Sequence, residues 1–224
     1  MSNDHDTTEI AFILDRSGSM DSVTESAISG FNQFLREQQK DEGAARLTLV
    51  LFDDEILVPA DNLPICELIQ LDTNSYVPRG STALLDAIGK TIKRFRKRIK
   101  NTAKKNRPDN IIFAILTDGF ENSSRKYSWD KISKMIRKRT KKDGWEFLFL
   151  GANQDAIATA AKINIGAHNS ASFAASDSGV YSSQQAISRR VKALRKANLY
   201  PESVDLVSSM EDILREESDN ADRD

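Results

Sequence analysis

The sequence is poor in the residues that secreted and metal-thiolate proteins are built from. Cys66 is its one cysteine. An internal disulfide and a zinc site of several thiolates are both excluded, and the reducing cytoplasm is the natural compartment. Histidine is almost as scarce: His5 sits in a polar stretch and His168 in an Ala/Asn/Ser loop. No apolar run approaches the roughly 20 residues that span a bilayer. Met1 to Glu9 is polar and acidic, without the basic and apolar regions of a secretory leader. There is no Gly-x-Ser-x-Gly elbow, no Walker A loop and no dinucleotide fingerprint. A Ser-His-Asp hydrolase therefore finds no support.

What is present is a chain of 224 residues, 39% hydrophobic and 29% charged, enough for one full core or at most two small domains. Its formal charge of −1 hides an asymmetry. Residues 201–224 carry nine acidic side chains against Arg215 and Arg223, a net −7, so the rest of the chain carries +6. A basic body with an acidic end points to self-docking or to an end that engages a basic partner.

The most informative stretch is Ile10 to Met20. An apolar run, Ile10 to Leu14, stops at Asp15, and Ser17 and Ser19 follow with Gly18 between them. The run reads as a strand buried on both faces. A carboxylate and two hydroxyls just past its end are hard oxygen donors, suited to Mg2+. The same residues are equally consistent with capping of the next helix.

Further along, Ile28, Phe31 and Leu35 recur at helical spacing over Ser22 to Lys40, with Gly30 placed to let that helix approach the sheet. Leu47 to Phe52 is a second buried strand. Asp53-Asp54 turns the chain, and Glu55 to Val58 returns it as an antiparallel edge strand that tolerates Pro59. Ile65 to Leu71 reads as a short helix. Arg79-Gly80-Ser81-Thr82 is a glycine-containing loop that runs into a helix with Leu84, Leu85, Ile88, Ile92, Phe95 and Ile99 on its apolar face. Ile111 to Leu116 is a strand ending in Thr117-Asp118-Gly119. Ser128 to Lys142 is a basic helix, Trp145 to Leu150 a strand, and Gln154 to Lys162 a helix. A strand near Ala171 to Phe173 and a helix from Ser182 to Ala197 complete the alternation.

Buried strands alternating with helices define an α/β class: a doubly wound, mostly parallel six-stranded sheet with one antiparallel edge strand. Residues 1–8 form a polar tail, 9–197 the domain, and 198–224 a helix with an acidic end. Right-handed crossovers put the C-terminal ends of the parallel strands on one edge, where ligands bind at the reversal of strand order. Asp15 and Asp118 both lie at such ends.

Asp15-x-Ser17-x-Ser19, Gly80-Ser81-Thr82 before a helix, and Thr117-Asp118-Gly119 after a strand together resemble the von Willebrand factor type A (vWA) domain and its metal-ion-dependent adhesion site. The resemblance covers roughly residues 9–197. Leu14 to Met20, Gly80 to Ile88 and Phe147 to Asp155 look like compact intracellular members from bacteria and their phages. The resemblance implies Ser17, Ser19 and Thr82 as hydroxyl ligands of Mg2+, with Mn2+ as an alternative. Asp15 and Asp118 would act directly or through water. An open position on such a metal attracts a carboxylate from another molecule. The implied function is a cytoplasmic, non-enzymatic module that binds a protein partner through its Asp or Glu. Family analogy places such modules in complex assembly, beside AAA+ ATPases or in stress-resistance systems. A metal-dependent hydrolase is a rival, weakened by the lack of a general base at the motif.

Other residues are read more plainly. Asp86, one turn beyond Thr82, is a helix-surface or packing residue, or a group behind the metal ligands. Asn153 and Asp155 are helix caps. The basic runs Lys90 to Arg107 and Lys131 to Lys142 are solvated helix faces or a patch for an acidic partner or nucleic acid, the second rival. They lack the aromatic interleaving of a single-strand binder, so nucleic acid is disfavoured. No membrane partner is expected. After Pro201, Leu206, Met210, Ile213 and Leu214 form an amphipathic stripe of about four turns. That helix should dock on its own domain or on a second copy. Glu216 to Asp224 should be disordered, or lie near the basic helices, or offer a carboxylate to a neighbour's metal.

Overall fold

The computed structural model describes residues 7–152, 156–197 and 207–221. Its framework follows from apolar runs too dense to leave either sheet face wet. The strands are β1 (Thr7–Asp15), β2 (Ala44–Phe52), β3 (Ile56–Pro64), β4 (Asn110–Thr117), β5 (Glu146–Ala152) and β6 (Ser170–Phe173). They form one six-stranded sheet in the order β3-β2-β1-β4-β5-β6. All neighbours are parallel except β2 and β3. Strand order reverses between β1 and β4, the place where two crossover loops part.

Along β1 the side chains alternate between two cores. Phe12 and Leu14 face α1 (Thr24–Lys40), α5 (Asp177–Ala197) and α6 (Met210–Ala221). Ala11 and Ile13 face α2 (Leu84–Asn101), α3 (Trp129–Asp143) and α4 (Ala156–Lys162). Aromatic side chains fill both layers. Phe12 packs on Phe31 and Phe34 of α1 with ring centres 5.3 and 4.8 Å apart. On the other face Phe113 lies between Phe95, at 4.9 Å, and Trp145, stacked at 5.4 Å. Among the described residues no helix is long and apolar enough to cross a membrane.

Several boundaries differ from the sequence reading. β1 begins at Thr7, and α1 begins at Thr24 after a 3-10 turn over Gly18–Val23. β3 runs on to Pro64 because Asn62, at φ 56°, absorbs a register shift against β2 and lets Ala60 stay buried opposite Leu49. The short helix expected over Ile65 to Leu71 is only a 3-10 turn, Ile65–Glu67. Beyond it Leu71 is held extended by the Asn32 side chain, which takes its N–H and donates to its C=O, both at 2.8 Å. Gly30 does not serve the sheet. A methyl group there would lie 2.9 Å from Cδ of Gln184, so its role is close contact between α1 and α5. That contact is polar at depth: buried Gln38 donates to Ser188 O at 3.0 Å, and Arg195 donates to Gln38 O at 2.8 Å.

The C-terminal helix docks on its own chain but is not the helix expected. Pro201 to Leu206 lie outside the described residues, and Val207 is exposed. α6 starts at Met210, where Ser209 and Asp212 cap it reciprocally: Asp212 N–H donates to Ser209 Oγ at 3.1 Å and Ser209 Oγ donates to Asp212 Oδ2 at 2.7 Å. Met210, Ile213 and Leu214 are buried in the core shared with α1 and α5. The expected disorder from Glu216 onward is corrected: α6 continues to Ala221. Glu216 and Glu217 pair with Arg189 of α5 at 2.6 and 3.4 Å. These two acids therefore meet a cation on the face opposite the basic helices α2 and α3.

Ile213→Ala should lower the unfolding free energy by about 2–4 kcal/mol, the cost of truncating a buried aliphatic side chain. Urea titration followed by circular dichroism measures it, and an unchanged midpoint would mean that α6 is not docked.

Candidate metal centre

The site is built where β1 and β4 end side by side. β1 terminates at Asp15, which is fully buried. Its Oδ1 accepts the Ser17 N–H at 2.7 Å and its Oδ2 accepts the Thr117 hydroxyl at 2.5 Å. Asp15 thus closes the loop backbone at Ser17 and does not cap the turn that follows, contrary to the capping alternative. Ser17 does not cap: its side chain accepts no backbone N–H of the 3-10 turn that follows. Its hydroxyl instead lies 3.1 Å from that of Ser19, which donates to Asp118 Oδ1 at 2.7 Å.

Thr82 arrives from the loop before α2. Its N–H donates to Asn122 Oδ1 at 2.9 Å, and its C=O accepts Asn122 and Ser123 N–H at 3.1 and 3.2 Å. Gly119 shows where its hydroxyl points. A methyl group built there would lie 2.7 Å from Thr82 Oγ1 and 3.5 Å from both Ser17 Oγ and Ser19 Oγ. Three hydroxyl oxygens thus surround one point that a larger residue at 119 would fill. The structure brings Ser17, Ser19, Thr82 and Asp118 together, with Asp15 one bond behind them.

These residues fit a small hard cation. Octahedral Mg2+ bonds of about 2.1 Å put neighbouring oxygens about 3 Å apart. The Ser17–Ser19 separation of 3.1 Å has that length. Both oxygens of Asp15 are already engaged, so it suits a role through water. Among the described residues there is no group of three or more His, Cys, Asp or Glu placed for a metal. A site here rests on hydroxyls rather than on a carboxylate or imidazole cage.

Burial disfavours ionisation of the two acids. It pushes Asp15 up to about 6, against the Thr117 hydroxyl and the Ser17 N–H, with the nearby Asp118 charge adding to the rise. Burial also raises Asp118, opposed by the Ser19 hydroxyl. Tyr76, buried, is raised well above its ordinary value by desolvation and then by the two acids. Its hydroxyl donates to the Asp15 backbone oxygen at 2.6 Å.

The sequence reading did not find the groups that hold this loop cluster. Asp53, taken there as a hairpin turn, is fully buried and pairs with Arg16 at 2.8 Å and Arg79 at 3.1 Å. Its backbone oxygen accepts the Ala83 N–H at 2.9 Å. Arg79 N–H donates to Arg16 O at 2.8 Å, and Gly18 N–H to Gly80 O at 3.2 Å. Gly80 itself has φ 65°, a conformation glycine adopts without strain. Glu121 binds both sides of the third loop: Oε2 accepts Leu85 N–H at 2.9 Å and Oε1 accepts Ser124 N–H at 2.8 Å. Asp86 is neither on the surface nor at the ligand cluster. Buried, it accepts Lys126 and Tyr127 N–H at 2.9 and 3.0 Å and so pins the segment before α3. The sequence signal for Asp53 was its place at the C-terminal end of a parallel strand, the same place that marked Asp15.

The remaining candidates lie elsewhere. His5, Asn153 and Asp155 are outside the described residues. His168 sits 3.2 Å from Arg190, before the N-terminal end of β6 and so at the opposite edge of the sheet. The basic run of α2 is partly consumed internally: Arg94 and Arg98 pair with Asp61 at 2.5 and 3.1 Å, and Arg98 with Glu9 at 2.8 Å.

No protein-family model and no curated protein matches the sequence. The fold matches solved structures. A von Willebrand factor type A protein from Catenulispora acidiphila superposes with TM-score 0.54 at 14% identity over 82% of this chain and 42% of that one. The conserved hypothetical protein BatB from Bacteroides thetaiotaomicron gives 0.55 at 15% identity over 84% and 99%. The ArnB paralog VWA2 from Sulfolobus acidocaldarius gives 0.54 at 14% identity over 83% and 45%. The chain spans less than half the length of the Catenulispora and Sulfolobus proteins. It has the von Willebrand factor type A fold.

Asp53→Ala should cost about 3–5 kcal/mol, because it strands the Arg16 guanidinium without its partner in a buried site. Chemical denaturation measures the loss, and a change below about 1 kcal/mol would mean that Asp53 does not hold the loops.

Proposed function

We propose that this chain is a metal-dependent protein-binding module whose divalent cation, Mg2+ or Mn2+, takes up a carboxylate from a partner protein. The observation that supports the reading most is the cluster of Ser17, Ser19 and Thr82 hydroxyls about the bare α-carbon of Gly119, with Asp118 hydrogen-bonded to Ser19. Ser17, Ser19 and Thr82 would hold the cation directly. Asp118 and Asp15 would balance it directly or through water. When bound, the cation supplies an electrophilic position that neutral hydroxyls leave poorly compensated, which favours an anionic ligand from outside.

The chain's own residues do the positioning. Tyr76, Asp15 and Asp53 fix the backbone of the first loop, and Glu121 and Asn122 fix the third. Binding of a protein Asp or Glu, rather than turnover, is the activity proposed. Gly119 and Ser19 are surrounded by acceptors and hydroxyls, with no histidine near them among the described residues. Assembly or regulation of a cytoplasmic complex is the biological setting proposed, with an AAA+ ATPase or a stress-resistance complex as partner by analogy.

Isothermal calorimetry on EDTA-stripped protein should show one Mg2+ or Mn2+ site, lost in Asp15→Ala. Gly119→Ala should weaken it at least tenfold with little change in melting temperature, since residue 119 is not in the left-handed region and its methyl would enter the cluster. Equal binding by the wild type and both variants would overturn the metal assignment.

Purified protein with either metal should turn over no phosphoester, peptide or ester substrate. Turnover abolished by Asp118→Ala would establish the hydrolase reading instead.

A further inference from the structure

Beside the hydroxyl cluster lies a cavity of 230 Å³ that the metal reading does not use. Thr117 and Gly119, which border the cluster, also line this cavity. It opens at the same sheet edge, between the end of β5 and the first turns of α3 and α4. Trp129 and Phe149 form aromatic walls. The end of β5 is made of small residues that let α4 pack closely: at Gly151 even a methyl group would lie 2.9 Å from the Ala156 side chain and 3.2 Å from Phe149.

Three further observations define what the cavity would take. Its volume is below the roughly 300–1,000 Å³ of pockets that enclose a drug-sized ligand or cofactor, and matches a single bulky side chain. Phe120, next after the Asp118-Gly119 pair, lines it while 64% exposed, an apolar surface that contact with a partner would cover. Of its two charged lining residues, Glu121 spends its oxygens on Leu85, Ser123 and Ser124. Lys162 sits over the Trp129 ring at 5.7 Å and gives that wall a positive edge. The cavity combines aromatic walls with polar lining from Thr117 and Thr159 and a cationic rim.

We propose that this cavity is the second half of the partner site: it receives a bulky apolar side chain, aromatic or leucine-like, that lies within two residues of the Asp or Glu bound at the metal. The inference rests on the metal-carboxylate reading, and it adds which acidic sequences the module accepts. The spacing follows from the shared border. Cluster and cavity both include Gly119, so an extended segment of one or two residues, about 3.3 Å each, bridges them. A lone acidic residue would meet the metal but leave Phe120 facing water and Trp129 half-exposed.

Selection of a random heptapeptide phage library on the Mg2+-loaded protein, with elution by EDTA, tests the proposal. The eluted peptides should carry Asp or Glu with Phe, Tyr, Trp, Leu, Ile or Met within two positions, at five times the input frequency or more. Thr159→Trp, which fills the cavity from α4 and lies outside the cluster, should keep calorimetric Mg2+ binding and lose that enrichment. Phe120→Ala should reduce it without altering Mg2+ binding. EDTA-eluted acidic peptides with no apolar neighbour preference would overturn this proposal while leaving the metal reading intact. An enrichment unchanged in Thr159→Trp would overturn the cavity as its seat. A library that yields no EDTA-eluted clones would overturn both readings.

Discussion

The carboxylate of Asp53 has no contact with solvent, and it is met there by Arg16 at 2.8 Å and by Arg79 at 3.1 Å. Each of these three residues belongs to a different connection: the loop after β1, the hairpin after β2, and the loop that leads to α2. Separating buried Asp53 from buried Arg16 would cost several kcal/mol, which holds their two loops in register, and half-exposed Arg79 joins the third loop to the same carboxylate. The backbone ties between Arg79 and Arg16, Gly18 and Gly80, and Ala83 and Asp53 are the geometric consequence. Ser17 and Ser19 hang from one side of this clamp and Thr82 from the other. The hydroxyl cluster is therefore assembled by an ion pair that takes no part in it.

A second constraint works against the first. Asp15 is placed at the end of a buried strand, where ionisation is disfavoured enough to raise it to about 6. Asp118, raised in the same direction, lies across the cluster. Two acids and three hydroxyls at this sheet edge, of which Ser19 alone is exposed, have more acceptors than donors. Without a cation they resolve this by bonding to one another, as Ser19 does to Asp118 and Thr117 does to Asp15. The Ser17 and Ser19 hydroxyls already stand 3.1 Å apart, near an octahedral separation.

The strands and helices were legible because each buried run announces its period, and Asp15 and Asp118 drew attention because they stand where such runs stop. What was not legible came from partners distant in sequence. Gly30 looked like a helix-to-sheet contact, and the Gln184 side chain that occupies the space is 154 positions away. Ile65 to Leu71 has helical spacing, but one amide side chain, Asn32, outweighs that preference by bonding both polar groups of Leu71. Glu216 and Glu217 lack apolar neighbours in sequence, and it is Arg189 that continues α6 through them. Asp86 left a packing role open in the sequence and Glu121 drew no reading there, because the backbone N–H donors that capture both have no signature in a sequence.

The same distinction governs what similarity can carry. Fourteen to fifteen per cent identity suffices to share a doubly wound sheet, because a sheet asks only for apolar residues at the right period. A metal and partner site asks for particular atoms at particular loop positions, and fold alone does not supply them. In this chain the hydroxyl cluster, the clamp behind it and the aromatic cavity beside it are set by separate residues. The clamp could be kept while the cavity changed, since Trp129, Phe149 and Thr159 touch neither Asp53 nor its arginines. On the function proposed above, affinity for an acidic group and choice among acidic partners would then vary independently, one through the loops after β1 and β4, the other through the end of β5 and the start of α4.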